Sequence, residues 1–283
     1  AQVLATGLTH SLGVILPPLT NRENISQPFY MEILTAINEE ASCNSQVVSI
    51  ATGATLDELV KQVKLMHRQK RADGFIILYS ETKDPVKDYL LKEKVPFVVI
   101  GAAVDNTNKV TYIDNDNKAI GQEAVFYLNS RGHQTIGFVT DDLFGQVGQE
   151  RYQGYKDAVS ELHIESLPEL VFSSQTIDSF KKHLRTFLPT ALVVKDDLVA
   201  LRLIQWVNNQ GIKIPKDYSI ISINNSSFAE IMHPFLTTYD INIQELGKES
   251  VRKLVAILKD ENTEPQKVTI PFHLIERESV TSI

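Results

Sequence analysis

Short runs of apolar and β-branched residues recur along this chain, and segments with helical periodicity separate them. The runs are apolar at successive positions, which is typical of strands covered by helices on both faces of a parallel sheet. They lie at 12–16, 46–50, 75–78, 97–100, 135–139, 191–194 and 219–223. Helices are predicted at 29–43, 55–70, 117–131, 150–162, 197–209 and 244–259.

Residues that commonly end helices support this pattern. Gly132 and Gly211 each follow a helical segment, where a left-handed residue commonly ends a helix. Strands therefore alternate with helices, which predicts an α/β chain built on doubly wound, open parallel sheets. A length of 283 residues allows two such units. The segment 111–117, a short strand running into a polar, turn-rich stretch, is the best candidate for a crossing between them.

Composition narrows the class of protein. The chain is 43% hydrophobic and 22% charged, and no segment approaches the ~20 apolar residues of a membrane span. No signal-peptide pattern is visible at the start. The net charge of −7 does not favour binding of a phosphate backbone by these residues alone. Cys43 is expected to be a small, half-buried helix residue without a redox role, and one cysteine fits a reducing cytoplasm.

Motifs for catalysis or metal binding are absent from the sequence. It has neither a Walker loop nor a Gly-x-Gly-x-x-Gly fingerprint, and 145–148 is an ordinary glycine-containing loop. The histidines form no metal-ligand spacing, and no Gly-x-Ser-x-Gly elbow occurs. The carboxylate pairs 141–142 and 196–197 are sequence neighbours, which do not face each other on a helix. We therefore predict no enzyme, no cofactor and no metal.

Several short segments, taken in order, carry a family resemblance. They are 1–17, Pro-Phe-Tyr at 28–30, Ala-Asp-Gly-Phe-Ile-Ile-Leu at 72–78, Ile-Asp-Asn at 113–115, Arg-Gly-His at 131–133, Arg-x-x-Gly-Tyr-x-x-Ala at 151–158, Pro-Phe-Leu-Thr-Thr at 234–238 and Arg-Glu-Ser at 277–279. This ordered set resembles the lactose repressor (LacI/GalR) family and spans essentially the whole chain. Within the family it looks most like maltose-operon repressors of Gram-positive bacteria.

The resemblance implies a type I periplasmic-binding-protein-like fold, in which two doubly wound parallel-sheet subdomains flank a ligand cleft. Residues 1–10 would be the remnant of a hinge helix and linker. Residues 11–115 with 243–272 would form the N-terminal subdomain, and 116–242 with 273–283 the C-terminal one. A helix-turn-helix DNA-binding domain would precede this chain.

Two departures from the family pattern fall at strand ends. The family's Asn-Asp after a central strand is Asp196-Asp197 here, and its Gly-Phe-Asp-Asp is Ser222-Ile223-Asn224-Asn225. An altered ligand preference is the expected consequence, while the fold is unaffected.

Arg151 is the foremost candidate for ligand binding, because its planar fork can donate to two adjacent hydroxyls. A surface ion pair with a neighbouring carboxylate is the alternative. Asp197 opens a predicted helix and matches a ligand-binding position of the family. A carboxylate there also suits a helix cap, a role that we assign to Asp196 instead.

Further candidates are polar or aromatic residues near strand ends, where ordinary turn or core roles are the alternatives. They are Asn224 and Asn225; Phe29 and Tyr30 at the start of the first helix; Tyr79 and Ser80; Asp114 and Asn115; and Phe172, as an aromatic platform. Trp206 is expected in the core or at a subunit contact.

The resemblance implies the ligand-sensing core of a transcriptional repressor that binds a small sugar, maltose or a related glucoside. Expected partners are a second copy of the chain, operator DNA through the missing domain, and other regulatory proteins; no membrane partner is expected. Leu4 matches a leucine that wedges into the DNA minor groove in the family. The alternative is an extracytoplasmic sugar-binding protein of a transport system.

Overall fold

The computed structural model describes residues 9–18, 27–105, 108–141, 145–260 and 263–283. The hinge segment and Leu4 lie outside the described residues. The chain divides into two compact units, residues 1–115 with 243–270 and residues 116–242 with 271–283.

The first unit contains a six-stranded parallel sheet. Its strands are β1 (Ser11–Ile15), β2 (Val47–Ala51), β3 (Gly74–Ile77), β4 (Phe97–Ile100), β5 (Thr111–Asp114) and β11 (Lys267–Thr269), in the order β11-β5-β4-β3-β1-β2. Its helices are α1 (Pro28–Cys43), α2 (Leu56–Arg68), α3 (Pro85–Lys92) and α9 (Ile243–Lys259). Both faces of the sheet are covered, since Gly74 lies against Leu254 of α9 while Phe75 packs with Leu59 and Val63 of α2.

The second unit repeats this plan with one antiparallel edge. Its strands run in the order β12-β10-β9-β8-β6-β7, and only β12 is antiparallel to its neighbour. They are β6 (Ile136–Thr140), β7 (Leu170–Val171), β8 (Ala191–Val194), β9 (Ser219–Asn224), β10 (Thr237–Asp240) and β12 (His273–Ile275). The helices are α4 (Asn117–Ser130), α5 (Gln146–Glu161), α6 (Ile177–Phe187), α7 (Asp197–Asn209) and α8 (Phe228–Ile231).

The predicted strands and helices are all present, and Gly132 and Gly211 adopt the predicted positive φ, 98° and 78°. One interpretation is wrong: the run at 46–50 is not covered on both faces. It forms β2 at the sheet edge, where Val47 is 63% and Ile50 51% exposed, because an edge strand has a neighbour on one side only.

Cys43 is also not half-buried as expected; it is exposed. It is the last residue of α1, whose buried face includes Ile37 and Ala41. At 3.6 residues per turn, a position two residues beyond Ala41 points ~200° away from that face.

The Arg-x-x-Gly-Tyr motif is explained by the packing of α5 on α4. A Cβ at Gly154 would lie 1.9 Å from the carbonyl oxygen of Lys118, so only glycine permits this approach. Tyr155, fully buried, donates from its hydroxyl to the carbonyl oxygen of Ile136 at 2.8 Å. The motif therefore places α5, and Arg151 on it, firmly against the neighbouring helix and strand.

We predict that Gly154→Ala lowers the free energy of unfolding by about 3 kcal/mol, because the new methyl group forces two helix backbones apart. Ser160→Ala, on the exposed side of the same helix, is the matched control and should change it by less than about 0.5 kcal/mol. Urea unfolding of the three proteins checks this, and equal stability of the two variants would contradict the packing argument.

Candidate functional site

The residues predicted to bind ligand gather at the carboxyl ends of the strands in each unit, the edge at which doubly wound sheets bind ligands. In the first unit Tyr79 and Ser80 follow β3, and Asp114 and Asn115 lie at the end of β5. In the second unit Asp197 follows β8, and Asn224 and Asn225 lie at the end of β9.

Arg151 reaches the carboxyl edge of the second sheet from α5, and its side chain is buried. Its Nε donates to Oδ1 of Asn117 at 3.0 Å, and its Nη1 donates to the carbonyl oxygen of Lys195 at 2.6 Å. Asn117 opens α4 and Lys195 follows β8. The guanidinium is thereby held between a helix start and a strand end, and its orientation is set by the unit itself.

Asp197 accepts four hydrogen bonds at this edge and is 1% exposed. Its Oδ1 accepts from the hydroxyls of Ser222 at 2.6 Å and Thr238 at 3.0 Å. Its Oδ2 accepts from the backbone N–H of Ser226 at 2.6 Å and from the Ser226 hydroxyl at 2.9 Å. Burial raises the pKa of Asp197 to about 6, although these donors pull it down.

Asp196 serves as the predicted N-terminal cap of α7, and that prediction is confirmed. Its carboxylate accepts from the backbone N–H of Val199 at 2.8 Å. The adjacent carboxylates therefore have separate tasks, since one caps a helix and the other joins β9, β10 and the start of α7. Ser222, which stands where the family pattern has glycine, supplies one of the four donors to Asp197. Direct contact of Asp197 with a ligand remains a prediction.

Asn224 and Asn225 end β9 in an unusual backbone conformation, with φ of 121° and 54°. Non-glycine residues adopt positive φ at a cost, and such strain concentrates at functional sites. The side chain of Asn225 is occupied, since it donates to Asp240 at 3.0 Å and accepts from Arg277 at 2.9 Å. Asn224 is half-buried, and its amide has no hydrogen-bond partner in the described parts of the chain. It is thus the more available of the two for a ligand.

Tyr79 lies directly beyond β3, half-buried, with its hydroxyl 3.4 Å from Oδ1 of Asp84. Burial, and then the Asp84 carboxylate, raise the pKa of Tyr79, so its hydroxyl stays protonated. Asp84 itself caps α3 by accepting from Val86 N–H at 2.9 Å, and burial raises the pKa of this carboxyl as well. The ring of Tyr79 is therefore fixed by contacts to the following helix.

Ser80 packs its hydroxyl against Gly101, the residue after β4. Gly101 has φ of 132°, and a Cβ there would lie 2.6 Å from Ser80 Oγ. This Oγ is buried and has no partner among the described residues. A buried hydroxyl normally has a hydrogen-bond partner, so the Ser80 hydroxyl is a polar group that a ligand at this edge could use.

Asp114 and Asn115 end β5 and are both buried. Asp114 Oδ1 accepts from Asn115 N–H at 2.8 Å, and Asn115 Nδ2 donates to the carbonyl oxygen of Ile270 at 2.9 Å. Asn115 is the last residue of the first unit before the chain crosses at Asp116, and Ile270 is the last before it crosses again. This pair therefore ties the crossing strands together, and a ligand contact by either residue remains a prediction.

The aromatic candidates separate into two groups. Phe29 and Tyr30 meet edge to face in the first turn of α1, 5.4 Å between ring centroids, and both are half-buried. Phe172 belongs to a three-ring cluster in the second unit, 5.1 Å from Phe180 and 5.8 Å from Trp206. Trp206 packs on the core, one of the two placements expected for it. Phe172 is anchored by core rings on one side, as an aromatic platform would require.

Several side chains that organise these edges escaped sequence reasoning. Arg277 donates to Asn225, to the carbonyl oxygen of Leu236 at 3.0 Å and to Glu230 at 2.9 Å. The closing Arg-Glu-Ser motif was the available signal for it. Lys87, 2% exposed, pairs with Asp105 beside the hydroxyl of Tyr112; nothing in its spacing marks it as buried.

No group of histidine, cysteine and carboxylate side chains in the described ranges could hold a metal ion. Across those same ranges, no helix has both the length and the apolar character needed to cross a bilayer.

Comparison with known protein families identifies the class of protein to which this fold belongs. The model of the periplasmic binding protein-like domain matches residues 125–280, more than half of the chain. That match and the two doubly wound sheets define the class as a periplasmic binding protein-like core.

Relatives with the same fold over the whole chain are transcription regulators. A transcriptional regulator LacI from Bacillus cereus is 31% identical, with a TM-score of 0.88 over 96% of this chain and 99% of that one. A structure described as a maltose operon transcriptional repressor from Staphylococcus aureus has a TM-score of 0.88 at 26% identity, over 97% and 99% of the two chains. The HTH-type transcriptional regulator MalR of Staphylococcus xylosus is 28% identical over all of this chain and 84% of its own length. The chain therefore belongs to the LacI family of transcriptional regulators.

We predict that Asp197 makes folding stability pH-dependent. Its pKa is raised from 3.8 to about 6 in the folded state, so the protonated form is favoured there. The resulting stabilisation is fully present below pH 3.8 and is lost as pH rises through 6, a change of about 3 kcal/mol.

Urea unfolding of the wild type and of Asp197→Asn between pH 4 and 7 checks this prediction. Asparagine mimics the neutral acid, so the wild type should lose stability relative to the variant as pH rises. Asp178→Asn, on the exposed surface, should show no such trend. A constant difference between wild type and Asp197→Asn would contradict the assignment.

Proposed function

We propose that this chain is the ligand-sensing core of a transcriptional repressor and that its ligand is a small sugar, maltose or a related glucoside. The observation that carries the proposal is the set of oriented donors and half-buried aromatic rings at the carboxyl edges of both sheets, in a chain of the LacI family. The likeness to a protein described as a maltose operon repressor supports maltose in particular.

The chemistry of the candidate residues suits a neutral, hydroxyl-rich ligand. The guanidinium of Arg151 is already oriented by the bonds of its Nε and Nη1 within the unit. It can therefore donate to adjacent hydroxyls without reorganising. The amide of Asn224 offers both a donor and an acceptor. Rings such as those of Tyr30 and Tyr79 provide apolar faces for the C–H surface of a sugar ring. In this proposal the sugar binds at a carboxyl edge, where these side chains lie.

A sugar that binds one arrangement of the two subdomains better than another shifts the population between them. We propose that this shift changes the affinity for operator DNA, which a helix-turn-helix domain ahead of this chain would contact. The proposal also includes a homodimer in the cytoplasm and contacts with other regulatory proteins.

An extracytoplasmic sugar-binding protein of a transport system is the second candidate, because the matching family model is that of a periplasmic binding protein-like domain. The gene sequence ahead of residue 1 discriminates between the two. About 55 residues with a helix-turn-helix pattern would support the repressor, and a signal peptide would support the transport protein.

Isothermal titration tests the ligand. We expect heat with maltose and none with hypoxanthine or ribose, because maltose offers more hydroxyls to the candidate donors and acceptors than either of the other two compounds. Heat with hypoxanthine alone would contradict a sugar effector.

We predict that Arg151→Ala weakens maltose binding by about 2–4 kcal/mol, since it leaves ligand hydroxyls unpaired. Arg151→Lys keeps the charge but loses the planar fork, so it should restore only part of the affinity. Arg185→Ala, the same change on the exposed side of α6, should bind maltose like the wild type. Unchanged affinity in Arg151→Ala would place the ligand elsewhere.

A further inference from the structure

The Ala-Asp-Gly motif at 72–74 has a carboxylate whose task the proposed function does not explain. Asp73 precedes β3 at the amino edge of the first sheet, opposite the edge that carries the candidate ligand residues. Its side chain binds the segment that leads into β1, 62–64 residues earlier in the chain.

The Asp73 carboxylate holds this segment by several bonds. The backbone N–H of Thr9 donates to Oδ1 at 2.9 Å and to Oδ2 at 3.0 Å, and the Thr9 hydroxyl donates to Oδ1 at 2.9 Å. Ser11 N–H reaches Oδ2 at 3.3 Å, while the N–H of Asp73 donates to the carbonyl oxygen of Ser11 at 2.7 Å. Hydrogen bonds to an ionised acceptor are stronger than neutral ones.

The backbone between these contacts is bent and held from the other side as well. His10 has φ of 55°, a left-handed conformation that non-glycine residues adopt at a cost. Its carbonyl oxygen accepts from Val47 N–H at 2.9 Å, at the start of β2. Such strain persists only where surrounding contacts over-determine it, so the direction in which the chain leaves the sheet at Thr9 is fixed.

One strand, β3, connects the Asp73 contacts to the candidate ligand edge. Asp73 precedes β3 and Tyr79 follows it, six residues further on, which is about 20 Å along a strand. β1, whose entry is gripped, pairs in parallel with β3 from Leu12↔Gly74 to Ile15↔Ile77. A paired strand is stiff along its length, so both ends of β3 belong to the same rigid part of the unit.

We propose that Asp73 is a positioning residue that clamps the chain at Thr9–Ser11 and so sets the placement of a DNA-binding domain joined ahead of it. This inference rests on the proposed function for its DNA-binding part only. The clamp itself is a property of the first unit and can be measured without DNA or ligand.

Amide hydrogen exchange in the 283-residue chain tests the clamp. In Asp73→Asn an NH₂ donor replaces one of the two acceptor oxygens and opposes the N–H groups bound there, so the amides of Thr9 and Ser11 should exchange at least about tenfold faster. The amide of Val14, in the middle of β1, should keep its rate. Thr9→Val removes the hydroxyl bond alone and should give a smaller increase.

Asp217→Asn is the matched control, because it also loses one backbone partner, Lys213 N–H at 2.7 Å, but in the other unit. Wild-type exchange at Thr9 in Asp73→Asn would overturn the clamp.

Operator binding tests the positioning role, in the protein carrying its own amino-terminal DNA-binding domain. The probe is the duplex that the wild type selects from a random-sequence library. Asp73→Asn should bind it at least about tenfold more weakly, while Asp217→Asn binds like the wild type. Fast exchange at Thr9 with wild-type DNA affinity would overturn the positioning role. If the wild type selects no duplex, the proposed function and the positioning role both fail, and the exchange rates still decide on the clamp.

Discussion

A buried carboxylate must be paired, and that of Asp197 organises the carboxyl edge of the second unit. Removing a partner from a buried charge costs several kcal/mol, so its four donors cannot easily separate. They come from β9, the loop that follows it, and β10. The strained turn at Asn224 is set within this network, and the Asn225–Arg277 contact extends it to the closing segment of the chain.

The first unit meets the same constraint with different residues. Asp84 caps α3, and Lys87 on that helix is buried against Asp105. Tyr112 adds its hydroxyl to the Asp105 backbone oxygen at 2.7 Å, so the loops after β3 and β4 are tied to each other and to β5. In both units, polar groups that strand order delivers to one edge are mostly satisfied internally. A polar group at that edge that is not satisfied by the described residues, such as the amide of Asn224, is available to a ligand.

Sequence pattern predicted most of the interior strands and the six longest helices, because burial on both faces leaves an uninterrupted apolar run. It missed β10, which lies inside the second sheet, and α6. It did not predict short edge elements such as Leu170–Val171 and Lys267–Thr269, where so few residues are paired that no run develops. The candidate positions near strand ends were also predictable, because the end of an apolar run marks the sheet edge. It was not predictable which of these residues bond to the unit itself and which face outward. Whether Asp197 faces outward or accepts four internal bonds depends on Ser222, Ser226 and Thr238, which are distant in sequence and meet only in the folded sheet.

The most direct test of the proposed ligand-sensing role is a crystal structure of this chain grown with saturating maltose. We predict sugar density within about 3 Å of the Arg151 guanidinium and the Asn224 amide in the second unit. Maltose bound at a surface remote from both carboxyl edges, or no sugar density at saturation, would contradict it.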